Sequence, residues 1–232
     1  MEPTRSGAAV QAGGRPPSYY VQPRPEVAAL VPPDCRRVLD VGCGAGELGR
    51  LLRARGHHVT GIELVPEAAE AARRQLDHVV TADVETAGFP FPPGSFDAVV
   101  FADLLEHLID PWRILREAAA LLAPGGHVIA SIPNLQNLDV LRRLVRGRWE
   151  YRERGLTDIG HLRFFTLHTI RGLFAQAGLA LVHVGHRYRR SLWRRLLCLL
   201  TAGRARAFLT RQYLVVARKP PARGGLEQGP GG

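Results

Sequence analysis

The chain has 232 residues, 46% of them hydrophobic, enough for one domain with a real core, and no apolar run approaches the roughly 20 residues that cross a bilayer. Its three cysteines, Cys35, Cys43 and Cys198, have no metal-ligand spacing and do not make a disulfide framework; such sparse use fits a reducing cytoplasm, and no metal site is expected. The formal net charge of +10 is almost all arginine, Lys219 being the single lysine, and the basic residues gather late in the chain, which implies a solvated face or an anionic partner.

Residues 1–17 are rich in Gly, Pro and Ala, with no apolar core of a signal peptide, and are expected to be disordered, as is the tail 219–232. Between them lies one domain, 18–218. Glu26 to Val31 reads as a short helix stopped by Pro32-Pro33. Regular alternation follows: a strand from Arg37 to Val41, a helix from Glu47 to Arg55, a strand from His57 to Leu64 and a helix from Pro66 to Leu76. His78 to Ala82 and Phe96 to Phe101 read as strands, Pro111 to Leu122 as a helix ended by Pro124-Gly125-Gly126, and His127 to Ile132 as a strand. Such alternation implies βαβ units and a parallel sheet. The pattern then loosens into two insertions, about 135–165 and 187–210. Leu138 to Val145 and Thr166 to Gln176 read as helices, Leu179 to Val184 as a sixth strand, Leu192 to Leu200 as a basic amphipathic helix and Gln212 to Ala217 as a final strand.

Chemistry concentrates at the carboxyl ends of the first strands. Val38-Leu39-Asp40-Val41 runs into Gly42-Cys43-Gly44-Ala45-Gly46, a strand, tight turn and helix start in which glycines permit φ > 0 and close approach of a ligand. The third glycine of the dinucleotide fingerprint would fall at Glu47 and is missing. Asp40 would repel a pyrophosphate but suits a cationic ligand. Glu63 ends the second strand, where an acid can accept hydrogen bonds from both ribose hydroxyls, and Asp83 ends the third, within reach of an adenine amino group.

These residues resemble the first motif of the class I S-adenosylmethionine-dependent methyltransferases. Gly61-Ile62-Glu63, Ala82-Asp83, Phe96-Asp97-Ala98-Val99-Val100, Leu105-Glu106-His107-Leu108 and Leu122-Ala123-Pro124-Gly125-Gly126 extend the resemblance in order, over about 19–218. It implies a Rossmann-like, doubly wound α/β fold with a seven-stranded sheet, mostly parallel, whose last strand is antiparallel. It also implies that S-adenosyl-L-methionine is held by Asp40 at its ammonium end, by Gly42, Cys43, Gly44 and Gly46 along the methionine part and ribose, by Glu63 at the ribose hydroxyls and Leu64 against adenine. Asp83 and Val84 would meet the adenine, and Phe101, Ala102 and Leu104 would line the methionine side.

Glu106-His107 resembles the pair found in ubiquinone-biosynthesis O-methyltransferases. The segment from Trp149 through His161-Leu162-Arg163-Phe164-Phe165-Thr166 resembles bacterial methyltransferases associated with glycan pathways. A hydroxyl nucleophile must lose its proton, and histidine is suited to take it; His161 is the first candidate and His107 the second. Arg163 is a candidate for a substrate phosphate or carboxylate, Phe164 and Phe165 for the core. The expected activity is O-methylation of a small or lipid-linked hydroxylated acceptor such as a sugar, in the cytoplasm, with residues 192–200 able to touch an anionic membrane. Two rivals stand beside it. Nucleic-acid methylation suits the charge, but Ala102-Asp103-Leu104-Leu105 lacks the Pro-Pro-Tyr/Phe signature of adenine methyltransferases; a non-catalytic cofactor-binding partner protein would keep the same acids.

Overall fold

The computed structural model describes residues 15–188, 200, 201, 203 and 205–221. Seven strands, β1 (Arg37–Val41), β2 (His58–Glu63), β3 (His78–Thr81), β4 (Phe96–Ala102), β5 (Leu122–Pro133), β6 (Ala180–Arg187) and β7 (Gln212–Arg218), form one sheet in the order β3-β2-β1-β4-β5-β7-β6. β1 to β5 pair in parallel, and β7 runs antiparallel to both β5 and β6. This is the expected mostly parallel doubly wound sheet. The strand order reverses between β1 and β4, so the crevice for a ligand lies at their carboxyl ends.

The helices are α1 (Pro25–Ala28), α2 (Glu47–Arg53), α3 (Pro66–Arg73), α4 (Val84–Ala87), α5 (Pro111–Leu121), α6 (Leu138–Val145), α7 (Leu167–Gln176) and α8 (Arg206–Leu209). Side chains alternate across a strand, and both faces of the central strands are apolar. Val38 and Val100 join a core with Val27, Leu48, Leu52, Ala69 and Ala72 under α1, α2 and α3. Leu39, Val41, Val99 and Phe101 join a second core with Ile114, Leu115, Ile170 and Phe174 under α5 and α7. A sheet buried on both faces is what the near-continuous apolar strands require.

Two differences from the sequence reading have local causes. β5 begins at Leu122 rather than His127, because the Pro124-Gly125-Gly126 stretch that ends α5 continues as a strand whose register with β4 shifts between Phe96 and Ala98. Phe164 is 40% exposed, its ring edge-on to Trp149 at 5.5 Å, whereas Phe165 is buried in the core. The basic helix expected over 192–200 lies outside the described residues except for Leu200, as do residues 1–14 and the tail after Pro221. Among the described residues no helix is long and apolar enough to cross a membrane.

Candidate active site

The glycine turn after β1 is tied down on three sides. The Gly42 and Cys43 amides both donate to the Ile62 carbonyl, at 2.8 and 3.1 Å, and the Ala45 amide donates to the Tyr20 carbonyl at 3.0 Å. The Gly44 amide donates to Glu63 Oε2 at 2.8 Å, while Glu63 Oε1 accepts from the Val65 amide at 2.9 Å. Gly44 has φ +55°, and a Cβ there would stand 2.6 Å from the Tyr20 carbonyl oxygen. Left-handed backbone costs a side-chain-bearing residue ~1–2 kcal/mol before any clash. Gly44→Ala should therefore lower the melting temperature by at least about 2–4 °C, the shift per kcal/mol for a domain of this size, measured by calorimetry.

The cavity above this turn is lined by residues from the ends of β1, β2 and β4 and by the segment from Arg15 to Arg24, which roofs it. Asp40, Gly42, Cys43, Gly44, Glu63, Leu64, Asp83, Val84, Ala102 and Leu104 all line it. Gly46 and Phe101 do not. Gly46, at φ +87°, starts α2 and faces Ala72, so its part is to let helix and helix pack closely. Phe101 is fully buried in the α5–α7 core; period two sends its side chain to the opposite face from Val100 and Ala102.

The acids of this cavity fit a cationic nucleoside. Asp40 is 1% exposed and neither of its carboxylate oxygens has a hydrogen-bond partner. Burial first, and the nearby Glu63 second, push its carboxyl up to about 7. A buried acid without a partner is costly, and an ammonium would satisfy it. Burial also raises Glu63, against backbone hydrogen bonds that hold it down; each of its oxygens accepts one amide and keeps a lone pair for a hydroxyl. Asp83 caps α4 by accepting from the Glu85 amide at 2.9 Å and lines the cavity as well.

A second cavity adjoins the first, and Tyr19, Gln22, Arg24, Asp103 and His107 line both. Glu106, Asp158 and His161 border only the second. The Arg15 guanidinium joins the roofing segment to Asp158 at 2.6 Å, and the Tyr19 ring lies under the Arg15 and Arg154 guanidiniums, 4.7 and 5.6 Å from its centroid. Arg24 and Asp103, both in left-handed backbone, form an ion pair, and Asp103 also accepts from Gln212 and from Ser131 Oγ. Asp103 figures in the sequence reading only as a member of the stretch Ala102-Asp103-Leu104-Leu105, and Tyr19 has no role there. Arg15 and Asp158 carried no expected role, since their pairing spans the chain.

His107, on the wall common to both cavities, and His161, on the second alone, stand edge to face with centroids 4.9 Å apart. His107 Nδ1 lies 2.9 Å from the Gly160 carbonyl. A carbonyl only accepts, so Nδ1 carries the proton and Nε2 keeps its lone pair. Burial, the largest influence, lowers His107 below the ordinary histidine value, so it is neutral at pH 7. Burial and His107 together bring His161 down to about 4. Glu106 is 1% exposed with both oxygens unpartnered, burial raises it to about 8, and Oε1 is 3.9 Å from His161 Nε2. One ligand atom from each of Glu106, His107 and His161 can be chosen so that all lie within 4.8 Å of one another, a grouping that could hold a metal ion; the cysteine spacing, from which no metal site was expected, says nothing about it. Arg163 is turned away, donating from Nε to the Ile109 carbonyl at 3.0 Å and lying over Trp112.

A switch-point crevice with a glycine turn, an unpartnered buried acid beneath it and a second acid at the end of β2 fits a cationic nucleoside. Residues 17–184 match the family model described as a methyltransferase domain, and the chain belongs to that family; S-adenosyl-L-methionine is the cofactor such a domain takes. The chain is 43% identical over 115 residues to a ubiquinone biosynthesis O-methyltransferase of Xanthomonas campestris, a match covering 47% of each chain. It is 37% identical over 106 residues to the protein of that name from Marinobacter nauticus, covering 43% of this chain and 44% of that one. These matches span about half the length of the curated relatives. In fold it is similar to a SAM-dependent methyltransferase from Archaeoglobus fulgidus, with a TM-score of 0.61 at 18% identity over 80% of this chain and 87% of that one. A S-adenosylmethionine-dependent methyltransferase from Mesorhizobium loti gives a TM-score of 0.59 at 19% identity, over 84% and 96%.

Proposed function

We propose that this protein methylates a hydroxyl oxygen of a small or lipid-linked acceptor, with S-adenosylmethionine as donor. The observation that carries the reading is His107, a neutral histidine with a free Nε2 lone pair, on the wall common to both cavities. When bound, the cofactor supplies a methyl group activated by its sulfonium. This chain orients the two partners, and orientation is the larger part of catalysis in a direct group transfer. Asp40 and Glu63 hold the donor's charged and hydroxyl ends; the segment from Tyr19 to Arg24 covers both cavities and excludes water. His107 Nε2 accepts the acceptor's hydroxyl proton, Gly160 fixing its tautomer, and His161 positions its ring. His161 borders only the second cavity, so the base is assigned to His107 ahead of it. The names of the relatives matched over about half their length favour an oxygen acceptor, and Glu106-His107 is a pair in which this chain resembles them. Residues 192–200 remain the candidate contact to a lipid surface.

The test begins with the donor. S-adenosylhomocysteine should raise the melting temperature of the purified protein, and Glu63→Ala should remove most of that shift. An unshifted parent protein would sink the reading.

A further inference from the structure

A third cavity opens between α6 and the loop that follows it. Arg142, Arg143, Arg146, Arg152, Arg154 and Arg211 line it, and among the described residues Asp139 is the one acid that does. Among the described residues Arg142, Arg143 and Arg146 take part in no ion pair, and Arg152 reaches only Glu150, at 3.7 Å. Helix polarity accounts for arginines near the end of α6. It does not account for Arg152, Arg154 and Arg211, which come from other segments to the same hollow, nor for Arg142 and Arg146 one turn apart, where like charges repel. Six arginines drawn from three segments line this one hollow, and a guanidinium is the side chain suited to grip phosphate oxygens two at a time.

This hollow is continuous with the acceptor side of the active site: Arg154, Gly155, Leu156 and Arg211 line both the second and the third cavity. The two hollows therefore share a border formed by these four residues. We propose that the third cavity is a phosphate or diphosphate subsite that holds the anionic end of the acceptor while its hydroxyl lies beside His107. The proposal rests on the methyl-transfer reading and narrows it to a phosphorylated or diphosphate-linked hydroxylated acceptor. A concave site joined to the reaction centre favours a single ligand headgroup over the flat face that a membrane would need.

The probe is inorganic pyrophosphate, titrated calorimetrically into the full chain at fixed ionic strength. Arg142→Gln/Arg143→Gln, changed on the rim away from the cofactor, should weaken its binding at least tenfold, whereas Arg116→Gln, a single arginine loss on the exposed side of α5, should leave it unchanged. S-adenosylhomocysteine binding should be the same in all three proteins, which also shows that the variants fold. Pyrophosphate binding no tighter than sulfate, or equal in parent and double variant, overturns the proposal even if S-adenosylhomocysteine binds; absent S-adenosylhomocysteine binding instead strikes the underlying reading. Vesicles of phosphatidylglycerol separate the remaining source of phosphate. Arginine-dependent vesicle binding without pyrophosphate binding would make this a membrane face and reject the subsite.

Discussion

Asp40→Asn should bind S-adenosylhomocysteine about 10- to 100-fold more weakly than the parent at pH 8, the loss expected when a charge-assisted hydrogen bond worth ~1.5–3 kcal/mol is removed. The carboxyl is buried on β1 with both oxygens unpartnered and sits at about 7 in the free protein. A bound ammonium favours the ionised form, so binding expels a proton wherever the free carboxyl still holds one. The sign follows: the complex carries fewer protons, so raising the pH favours it. Parent affinity should climb by up to about tenfold per pH unit below 7 and level off above it. The Asn variant should lose that slope. Isothermal titration at pH 5.5 and 8 decides the matter; a parent affinity that does not change with pH, or an Asn variant that keeps the parent's slope, would remove Asp40 from the donor's charged end.

His107→Ala should reduce kcat by ~10²–10⁴, the usual worth of a positioned general base, with S-adenosylhomocysteine affinity little changed. Its pH dependence has a definite direction. Protonated His107 cannot accept the hydroxyl proton, and burial lowers its value below that of an ordinary histidine. The parent's kcat/KM should rise with pH through a point under about 6.5 and then run flat across neutrality. His161→Ala should cost less, because it touches His107 by its ring edge and borders only the acceptor side. Steady-state assays of both variants against one acceptor would test the order. A larger loss in His161→Ala would transfer the role of base to it.

The cavity at the first strand ends was legible in the chain because its parts are local: Asp40, Glu63 and Asp83 lie at or just past the carboxyl ends of β1, β2 and β3, and strand ends can be read from apolar runs and the turns that follow. Phe101 shows the limit of reading a stretch as a block. Its neighbours Val100 and Ala102 belong with the core under α1, α2 and α3, so alternation alone places Phe101 in the other core. Gly46 belongs to the same motif as Gly44, yet one packs helices and the other meets Tyr20; a motif does not divide its residues between ligand and scaffold. The acceptor side was hardly legible. Arg15 with Asp158, Arg24 with Asp103, and Glu106 beside His161 join residues far apart in sequence, and no spacing rule connects them. Of that wall, the pair Glu106-His107 was visible as a motif. Its unpartnered carboxyl was not, since burial depends on what packs around it.

The segment from Arg15 to Arg24 gives the two cavities one wall, for Tyr19, Gln22 and Arg24 border both. Occupancies that share a wall are thermodynamically linked, and linkage is reciprocal: whatever factor a bound donor contributes to acceptor affinity, a bound acceptor returns to the donor. The wall hangs on a few long-range pairs, Arg15 with Asp158 and Arg24 with Asp103. Loosening either pair is therefore expected to disturb both cavities at once, and a substitution at Tyr19, Gln22 or Arg24 acts on the two together.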